Sequence, residues 1–331
     1  MSSLLPVAFH STRFPDRVEG ALLHSLRSRV LNPGFLYDGV RQTRRWLRLH
    51  EAWSPSRSDP TCASIYEQAA DSLPRFSSGR RVVVVGLGCG GGRKDTRILK
   101  RLRPDADRLI YVPCDVSAAM VLTAANAART EARPDECRPL VCDLVETTDL
   151  PERLDEWCGA EPARLITFFG MLPNLESDSV MPSIAGSLRP NETLMVSANL
   201  VPGGDPDSGM NRVLPQYDNA LTREWLLGFL LDLGVDRDDG ELFIGISDQK
   251  EPEGRRRIVA DFRFRRQRIL ELPGETFRFE EGDEIRLFHS WRYTAAAVRA
   301  LLTEQGFVVD AEWIANSGEE GVFSCRRRPK R

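Results

Sequence analysis

The sequence predicts an α/β fold in which a doubly wound, mostly parallel sheet is closed by an antiparallel C-terminal hairpin and interrupted by an inserted α+β segment. A valine-rich run leads into a cluster of glycines over residues 81–92. Segments with strand and helix character then alternate as far as residue 200. Near the end of the chain, a predicted helix over 294–305 precedes two alternating strands, 306–315 and 321–326. Alternating βα units are typical of a parallel sheet, and the last two strands predict the hairpin.

The first predicted strand and the turn after it form the strongest local pattern. Four consecutive valines, residues 82–85, suit a strand that is buried on both faces. Gly86, Gly88 and Gly90 follow, and a glycine has no Cβ to keep a ligand away from the backbone. With the helix predicted over 94–102, this unit is the first crossover of a doubly wound fold, where ligands bind beyond the carboxyl ends of the strands. Such a glycine turn can also be purely structural.

Two aspartates end the next two predicted strands. Asp115 ends the strand over 109–115, where its carboxylate can accept hydrogen bonds from the hydroxyls of a ribose. Asp115 could instead cap the next helix, although Ser117 can provide that cap itself. Asp143 ends a short third strand, in a position to bond an adenine amino group, unless it is a surface-turn residue. The spacing therefore favours a nucleoside-containing ligand.

Two further predicted strands, 164–170 and 192–200, flank a helix over 177–188 and bring the number of parallel strands to five. Five parallel strands followed by a terminal hairpin are the plan of the adenosylmethionine-dependent methyltransferases. Dehydrogenases with a similar first half do not normally end in this way, and the glycine pattern lacks their spaced third glycine.

Two segments lie outside the βα repeat. The first sixty residues have apolar residues at helical spacing over 18–31 and 40–49. An inserted segment after the fifth strand combines a helix over 221–233 with strands near 241–248, 255–272 and 276–280. We expect both to cover the substrate, with a dimer interface or simple packing as the alternative. The predicted division is 1–60 (helical lid segment), 61–200 (donor-binding core), 201–293 (inserted substrate-binding domain) and 294–331 (completion of the core).

Composition excludes several functional classes. The 331 residues are 41% hydrophobic and 28% charged, which describes a globular chain with a full core. A formal net charge of −3 creates no field toward nucleic acid or an anionic membrane, so neither partner is expected, and the basic end over 326–331 reads as a solvated terminus. No apolar run is long enough to cross a bilayer and no signal peptide is evident, so a cytoplasmic location is expected. Seven scattered cysteines and four histidines predict reduced thiols and no metal site.

Short motifs spread over nearly the whole chain carry a resemblance to one family. In chain order they are LYDG at 36–39, EAWSPSR at 51–57, GCG at 88–90, YVPCDVS at 111–117, FGMLPNL at 169–175, NLV at 199–201, QYD at 216–218 and SWRY at 290–293. In order and spacing the chain resembles the ergothioneine-pathway histidine Nα-methyltransferases, a family that includes fungal dimethylallyltryptophan N-methyltransferases.

The resemblance implies two groups of site residues. The group expected to bind S-adenosylmethionine comprises Gly86, Gly88, Gly90, Lys94, Asp115, Asp143 and Leu144. The group expected to bind a small amino-acid-like acceptor comprises Tyr37, Trp53, Asn174, Tyr217, Ala260, Phe288 and Ser290. Within this second group, Asn174 and Tyr217 are assigned to the α-carboxylate and amine region and are the expected catalytic residues.

Departures from the family bear on specificity. Phe288 stands where the histidine enzymes carry a glutamate that bonds the imidazole, and Ala260 stands where they place a methionine. Losing a polar group matched to a substrate N–H argues against unmodified histidine and for a larger or more apolar side chain. Gly86 stands where the first strand of many methyltransferases ends in an acid, which would weaken donor binding. Trp53 stands where tyrosine is frequent, which keeps an aromatic wall.

The expected chemistry is direct transfer of the sulfonium methyl group to a neutral nitrogen, with proximity and orientation providing most of the acceleration. If the amine arrives as an ammonium, Tyr217 or water would receive its proton. His289 should point away from the pocket, because it alternates with Ser290 along a strand. The alternatives are an O-, C- or ring-N-methyltransferase of a specialised metabolite and a non-catalytic binding protein with the same fold. A monomer or weak homodimer is expected.

Overall fold

The structure is a computed structural model that describes residues 4–73, 80–158, 163–189, 192–203, 205–249 and 254–328. It confirms the predicted α/β class, with a central, mostly parallel sheet and an antiparallel hairpin at its C-terminal end. Of the basic end, residues 329–331 lie outside the described residues.

The N-terminal segment is mainly helical, as predicted. It contains β1 (Ala8–Phe9), α1 (Pro15–Ser28), α2 (Gly39–Trp53), α3 (Pro55–Ser58) and α4 (Pro60–Asp71). Helix α1 ends earlier than its apolar pattern suggests, because Arg29 adopts a left-handed conformation with φ 58°. Strand β1 was not predicted, since its two residues are defined only by pairing with a strand more than 130 positions later.

The central part follows the predicted βα order. Its elements are β2 (Arg81–Leu87), α5 (Arg93–Leu102), β3 (Arg108–Asp115), α6 (Ala118–Glu131), β4 (Glu136–Cys137), β5 (Leu140–Val141), α7 (Leu150–Cys158), β6 (Ala163–Phe168), α8 (Ser177–Ser187) and β7 (Thr193–Asn199). The main path through the sheet starts β1-β5-β3-β2-β6-β7, and all of these pairs are parallel.

The inserted segment builds a second, antiparallel sheet. Its elements are α9 (Pro206–Val213), α10 (Ala220–Asp232), β8 (Gly240–Ile246), β9 (Arg255–Phe264), β10 (Arg268–Leu272), β11 (Glu275–Phe279) and β12 (Glu284–Tyr293). Strands β12, β9 and β8 form one sheet, while β10 and β11 form a separate hairpin. The single strand expected over 255–272 is therefore two strands, separated at residues 265–267.

The C-terminal part completes the main sheet. It contains α11 (Ala295–Glu304), β13 (Phe307–Ile314) and β14 (Glu320–Arg327). Strand β14 lies between β7 and β13 and is antiparallel to both, so the predicted hairpin is confirmed.

Three large buried clusters of the described residues hold these layers together. Alternate valines of β2 face opposite sides of the main sheet: Val83 and Val85 belong to one cluster, and Val82 and Val84 belong to the other. A third cluster joins α1, α10 and the second sheet. Each of the three buries large apolar side chains, which supplies most of the driving force for folding.

Other structural expectations can be compared with the described residues. All seven cysteines are free, and five of them are buried. Within the described ranges, no helix has both the length and the apolar character needed to cross a membrane. The same residues contain no cluster of His, Cys, Asp and Glu side chains suited to a metal ion.

Candidate active site

A cavity of about 250 Å³ lies beyond the carboxyl ends of the parallel strands, between the main sheet, helix α2 and the second sheet. Its lining combines the glycine turn after β2, the ends of β3 and β7, and side chains of α10 and β12. This is the edge of a doubly wound sheet at which ligands bind. Most residues of the two predicted groups line it: Tyr37, Trp53, Gly88, Gly90, Lys94, Asp115, Asp143, Leu144, Asn174, Tyr217, Phe288 and Ser290.

The glycine turn keeps one end of the cavity open. Gly88 and Gly90 have φ values of 65° and 51°, in the left-handed region that favours glycine. A Cβ on Gly88 would lie 2.2 Å from Cγ of Met171, and one on Gly90 would lie 3.3 Å from the Trp46 ring. The turn therefore requires glycine for its conformation, and at Gly88 for its close approach to Met171 as well.

Asp115 presents its carboxylate to the cavity and does not cap the helix that follows. The backbone N–H of Gly90 donates to Oδ2 at 3.0 Å, and that of Ser117 donates to Oδ1 at 3.1 Å. Ser117 itself caps α6 by accepting from Met120. Burial raises the pKa of Asp115 to about 6. The remaining lone pairs of this carboxylate can accept the two hydroxyls of a ribose.

Asp143 is only 5% exposed, so it is not a surface-turn residue. Its Oδ1 accepts from the backbone N–H of Val145 at 2.9 Å, and its Oδ2 accepts from the Asn32 side chain at 3.3 Å. Leu144 follows it and also lines the cavity. A carboxylate beside an apolar side chain fits the polar edge and the flat face of an adenine.

Lys94 is held by an ion pair from the C-terminal hairpin. Its Nζ donates to Oε1 of Glu320 at 3.1 Å and to the Tyr66 hydroxyl at 2.6 Å, and Tyr66 also donates to Glu320. Lys94 and Glu320 both line the cavity. Strand β14 therefore contributes a charge to the end of the cavity where the residues predicted to bind S-adenosylmethionine lie, hereafter the donor end.

Gly86 does not line the cavity, which corrects the prediction that it contacts the donor. The space beside it is filled by Asp95, whose Oδ2 would lie 2.0 Å from a Cβ built on Gly86. The Asp95 carboxylate accepts from the Tyr111 hydroxyl and from Oγ1 of Thr167, each at 2.7 Å. Asp95 does line the cavity, and sequence reasoning missed it because the first turn of a helix is an ordinary place for an acid.

The Tyr217 hydroxyl is the centre of a polar network at the other end of the cavity. It accepts from Nδ2 of Asn199 at 3.2 Å and from Nη2 of Arg292 at 3.4 Å, and it lies 3.1 Å from Oγ of Ser290. Because two donors point at the phenolic oxygen, its own proton is available for Ser290 or for a ligand.

Arg292 was not predicted as a site residue, although it lies in the SWRY motif. Its side chain is almost completely buried and lines the cavity. Its Nη1 donates to the carbonyls of Leu200 and Glu319, and its Nη2 donates to Oε1 of Gln216 at 3.0 Å. Among the described residues no carboxylate pairs with this guanidinium.

Asn174 ends a short 3-10 helix (Leu172–Asn174) at the cavity wall. Its Nδ2 donates to the carbonyl of Gly170 at 3.3 Å, which turns the amide and leaves Oδ1 as an acceptor. Gly170 is in turn fixed by its N–H, which donates to Ser197 at 2.8 Å.

Aromatic rings form the rest of the opposite end of the cavity, hereafter the acceptor end, where the residues predicted to bind the methyl acceptor lie. Tyr37 packs against Trp46 and Trp225 with ring centroids 5.8 and 5.5 Å apart, and Phe288 packs against Trp225 at 5.6 Å and Tyr217 at 6.3 Å. The pKa of Tyr37 is raised above its usual range, chiefly by burial and also by Asp115 and Tyr217, so it stays a neutral phenol. These rings give the cavity an apolar wall.

Two of the predicted acceptor-binding residues, Trp53 and Ala260, lie at the periphery of the cavity or outside it. Trp53 lies at the rim, where it is 38% exposed. Ala260 does not line the cavity, contrary to prediction: it is fully buried in the third cluster and pairs with Phe288 across the second sheet. Its small side chain therefore adjoins Phe288 and does not enlarge the pocket directly.

His50 and His289 differ in their placement relative to the cavity. His50 lines the cavity, stacked on Trp46 at 4.7 Å, and was not predicted. Burial, with Lys94, Arg57 and Arg93 nearby, lowers its pKa to about 3, so its imidazole is neutral. His289 is absent from the lining, as the strand alternation predicted, while its neighbours Phe288 and Ser290 face the cavity.

Comparison with known proteins identifies a family. The model of the family described as histidine-specific methyltransferase, SAM-dependent, matches residues 18–222 and 246–327. No curated protein matches the chain.

Solved structures with similar architecture are distant in sequence. The CcbJ methyltransferase from Streptomyces caelestis is 12% identical over 83% of this chain and 99% of that chain, with a TM-score of 0.40. The mitomycin 7-O-methyltransferase MmcR is 15% identical over 96% of this chain and 70% of that chain, with a TM-score of 0.42. A putative methyltransferase from Thermobifida fusca is 14% identical over 92% and 97%, with a TM-score of 0.45.

Proposed function

The chain belongs to the family of histidine-specific, SAM-dependent methyltransferases, and on this premise we propose that it methylates the α-amine of an amino acid, or of a metabolite derived from one, whose side chain is more apolar than that of histidine. The enzyme is a SAM-dependent methyltransferase, and S-adenosylmethionine is its methyl donor. The acceptor and its reacting atom are the proposed part.

The observation that carries the proposal is the buried guanidinium of Arg292 beside the Tyr217 hydroxyl. A buried charge without a counter-charge is costly, on the order of several kcal/mol. An acceptor carboxylate bound to Tyr217 would place a negative charge next to Arg292 and remove that cost. This favours an acceptor that keeps the free carboxylate of an amino acid.

The amine end of the acceptor would lie near Asn174. The Oδ1 of Asn174 is a neutral hydrogen-bond acceptor, which can orient an amine without stabilising it as an ammonium. When bound, S-adenosylmethionine supplies an electrophilic methyl group on its sulfonium. The residues of the chain orient the amine toward this methyl group and keep the amine neutral. Because the oxygen of Tyr217 already accepts from Asn199 and Arg292, water rather than Tyr217 would receive a proton lost by the amine.

The side-chain end supports an apolar or aromatic acceptor. Tyr37, Trp225 and Phe288 surround this space, and Phe288 offers no hydrogen bond to an imidazole. Thr222, one turn before Trp225, also lines the cavity, and its Oγ1 is buried and has no hydrogen-bond partner. An aromatic acceptor with one ring heteroatom would satisfy both features.

The experiment is calorimetry with adenosylhomocysteine, followed by histidine, tryptophan, tyrosine and ring-modified derivatives in the same sample, and by mass spectrometry and NMR to locate the added methyl group. We expect one aromatic amino acid to bind and to be methylated on the α-nitrogen, with histidine weaker. A methyl group on oxygen, carbon or a ring nitrogen would overturn the proposed reaction.

The carboxylate assignment has its own test. Arg292→Gln should weaken binding of the amino acid by roughly tenfold or more. The affinity for adenosylhomocysteine should change by less than about twofold, because only the methyl acceptor contacts this end of the cavity. The matched ligand is the decarboxylated amine of the same acceptor, whose affinity should be low and unaffected by the substitution. Equal methylation of the amino acid and the decarboxylated amine by the native enzyme would contradict the role of Arg292.

A further inference from the structure

Asp95 is a buried carboxylate at the donor end of the cavity, and the reaction described above gives it no role. It is only 3% exposed, yet it lines the cavity. None of the described Lys, Arg or His side chains forms an ion pair with it. Its chain neighbour Lys94 is engaged with Glu320 and Tyr66. The fold therefore holds a carboxylate against the donor site with which no cationic side chain of the described residues forms an ion pair.

Two strands fix the position of this carboxylate. The Tyr111 hydroxyl of β3 donates to Oδ2, and Thr167 of β6 donates to Oδ1, each at 2.7 Å. Strand β2 lies between β3 and β6, and Gly86 on β2 leaves the space that Oδ2 enters. Any side chain at position 86 would collide with Asp95. The missing acid at Gly86 and the presence of Asp95 are thus two parts of one arrangement.

We propose that Asp95 binds the ammonium group of the methionine moiety of S-adenosylmethionine, so that a carboxylate from helix α5 performs the function of the strand-end acid that position 86 lacks. A charge-assisted hydrogen bond to a buried carboxylate is stronger than a neutral one, and the ammonium supplies the balancing charge. The sulfonium is the poorer partner, since a carboxylate against it would reduce its electrophilicity. The proposal depends on the donor alone and is independent of the acceptor.

The test compares two ligands in one variant. Adenosylhomocysteine carries the ammonium but no sulfonium, whereas methylthioadenosine has neither the ammonium nor the carboxylate. In Asp95→Asn, we expect adenosylhomocysteine to bind about tenfold more weakly or worse, while methylthioadenosine changes by less than about twofold. The ratio of the two affinities is insensitive to partial unfolding, because loss of folded protein weakens both ligands alike.

Two controls separate the ammonium from other parts of the donor. Adenosylhomocysteine without its carboxylate retains the amine, so it should keep its dependence on Asp95. Asp115→Asn, which alters the proposed ribose contact, should weaken adenosylhomocysteine and methylthioadenosine together. Equal losses for both ligands in Asp95→Asn, or an unchanged affinity for adenosylhomocysteine, would overturn the assignment.

Discussion

At the scale of single residues, the buried charges that line the cavity include two of opposite sign at its two ends. Asp95 lies at the donor end and Arg292 at the acceptor end, and neither is paired with an oppositely charged side chain among the described residues. Folding alone would favour apolar residues at such positions, because desolvating an unpaired charge is unfavourable. Each charge instead matches the ligand expected beside it, an ammonium at Asp95 and a carboxylate at Arg292.

Thr222 provides a residue-scale prediction about the side chain of the acceptor. Its Oγ1 is buried without a partner, so Thr222→Val should raise the stability of the ligand-free enzyme by about 1 kcal/mol, since an unsatisfied hydroxyl is removed at constant shape. The same substitution should weaken binding of the best methyl acceptor several-fold but leave the affinity for its ring-methylated analogue unchanged. Chemical denaturation and calorimetry measure the two effects, and Thr222→Ser is the matched control. A loss of stability in Thr222→Val would show that the hydroxyl has a structural partner.

At the scale of elements, the sequence predicted what local pattern controls. The four valines of β2, the glycine turn and the alternating C-terminal strands each carry their structure in their own spacing. Strand β1 was missed because it exists only through pairing with β5, and the turn at 265–267 interrupts a run that is strand-like throughout. Asp95 could not be identified from the sequence, since its proposed role depends on the space beside Gly86 that its carboxylate occupies, which only the folded structure shows.

The C-terminal hairpin also makes an element-scale contribution that can be measured. Glu320 on β14 is the ion-pair partner of the half-buried Lys94 on α5. Replacing Glu320 by Gln should destabilise the enzyme by about 2 kcal/mol, because it leaves Lys94 without its counter-charge. Adenosylhomocysteine, whose carboxylate can pair with the freed Lys94, should recover part of this loss. The double variant Lys94→Met, Glu320→Gln is the control, and it should be more stable than Glu320→Gln alone in urea unfolding.

At the scale of the whole molecule, the cavity exists only where separate parts of the chain meet. The main sheet provides the glycine turn and Asp115, the N-terminal segment provides Tyr37 and Trp46, and the second sheet provides Phe288. The side chain of Gln42 on α2 donates to the carbonyl of Trp225 on α10, and the Trp225 indole donates back to Leu36. The N-terminal and inserted segments are thus bonded to each other beside the cavity. This supports the proposal that they act together in covering the acceptor.

The stability of the whole molecule should depend on pH through Asp95. Burial raises its pKa from 3.8 to about 6, against the opposing effects of Thr167, Tyr111 and Lys94. Below pH 4 the carboxyl is protonated in both the folded and the unfolded chain. Between about pH 4 and 6 the unfolded chain has lost this proton while the folded chain still holds it, so the contribution of Asp95 to stability falls as pH rises through this range.

Asp95→Asn isolates this contribution, because the buried histidines and Asp115 titrate alike in both proteins. The free energy of unfolding of the native enzyme, relative to the variant, should decrease by about 2 kcal/mol between pH 4 and pH 7 in urea titrations. Saturating adenosylhomocysteine should reduce this decrease, since its ammonium stabilises the ionised carboxylate. A difference between the two proteins that stays constant with pH would mean that Asp95 is ionised throughout. A decrease of the predicted size that adenosylhomocysteine does not reduce would mean that the ammonium binds elsewhere.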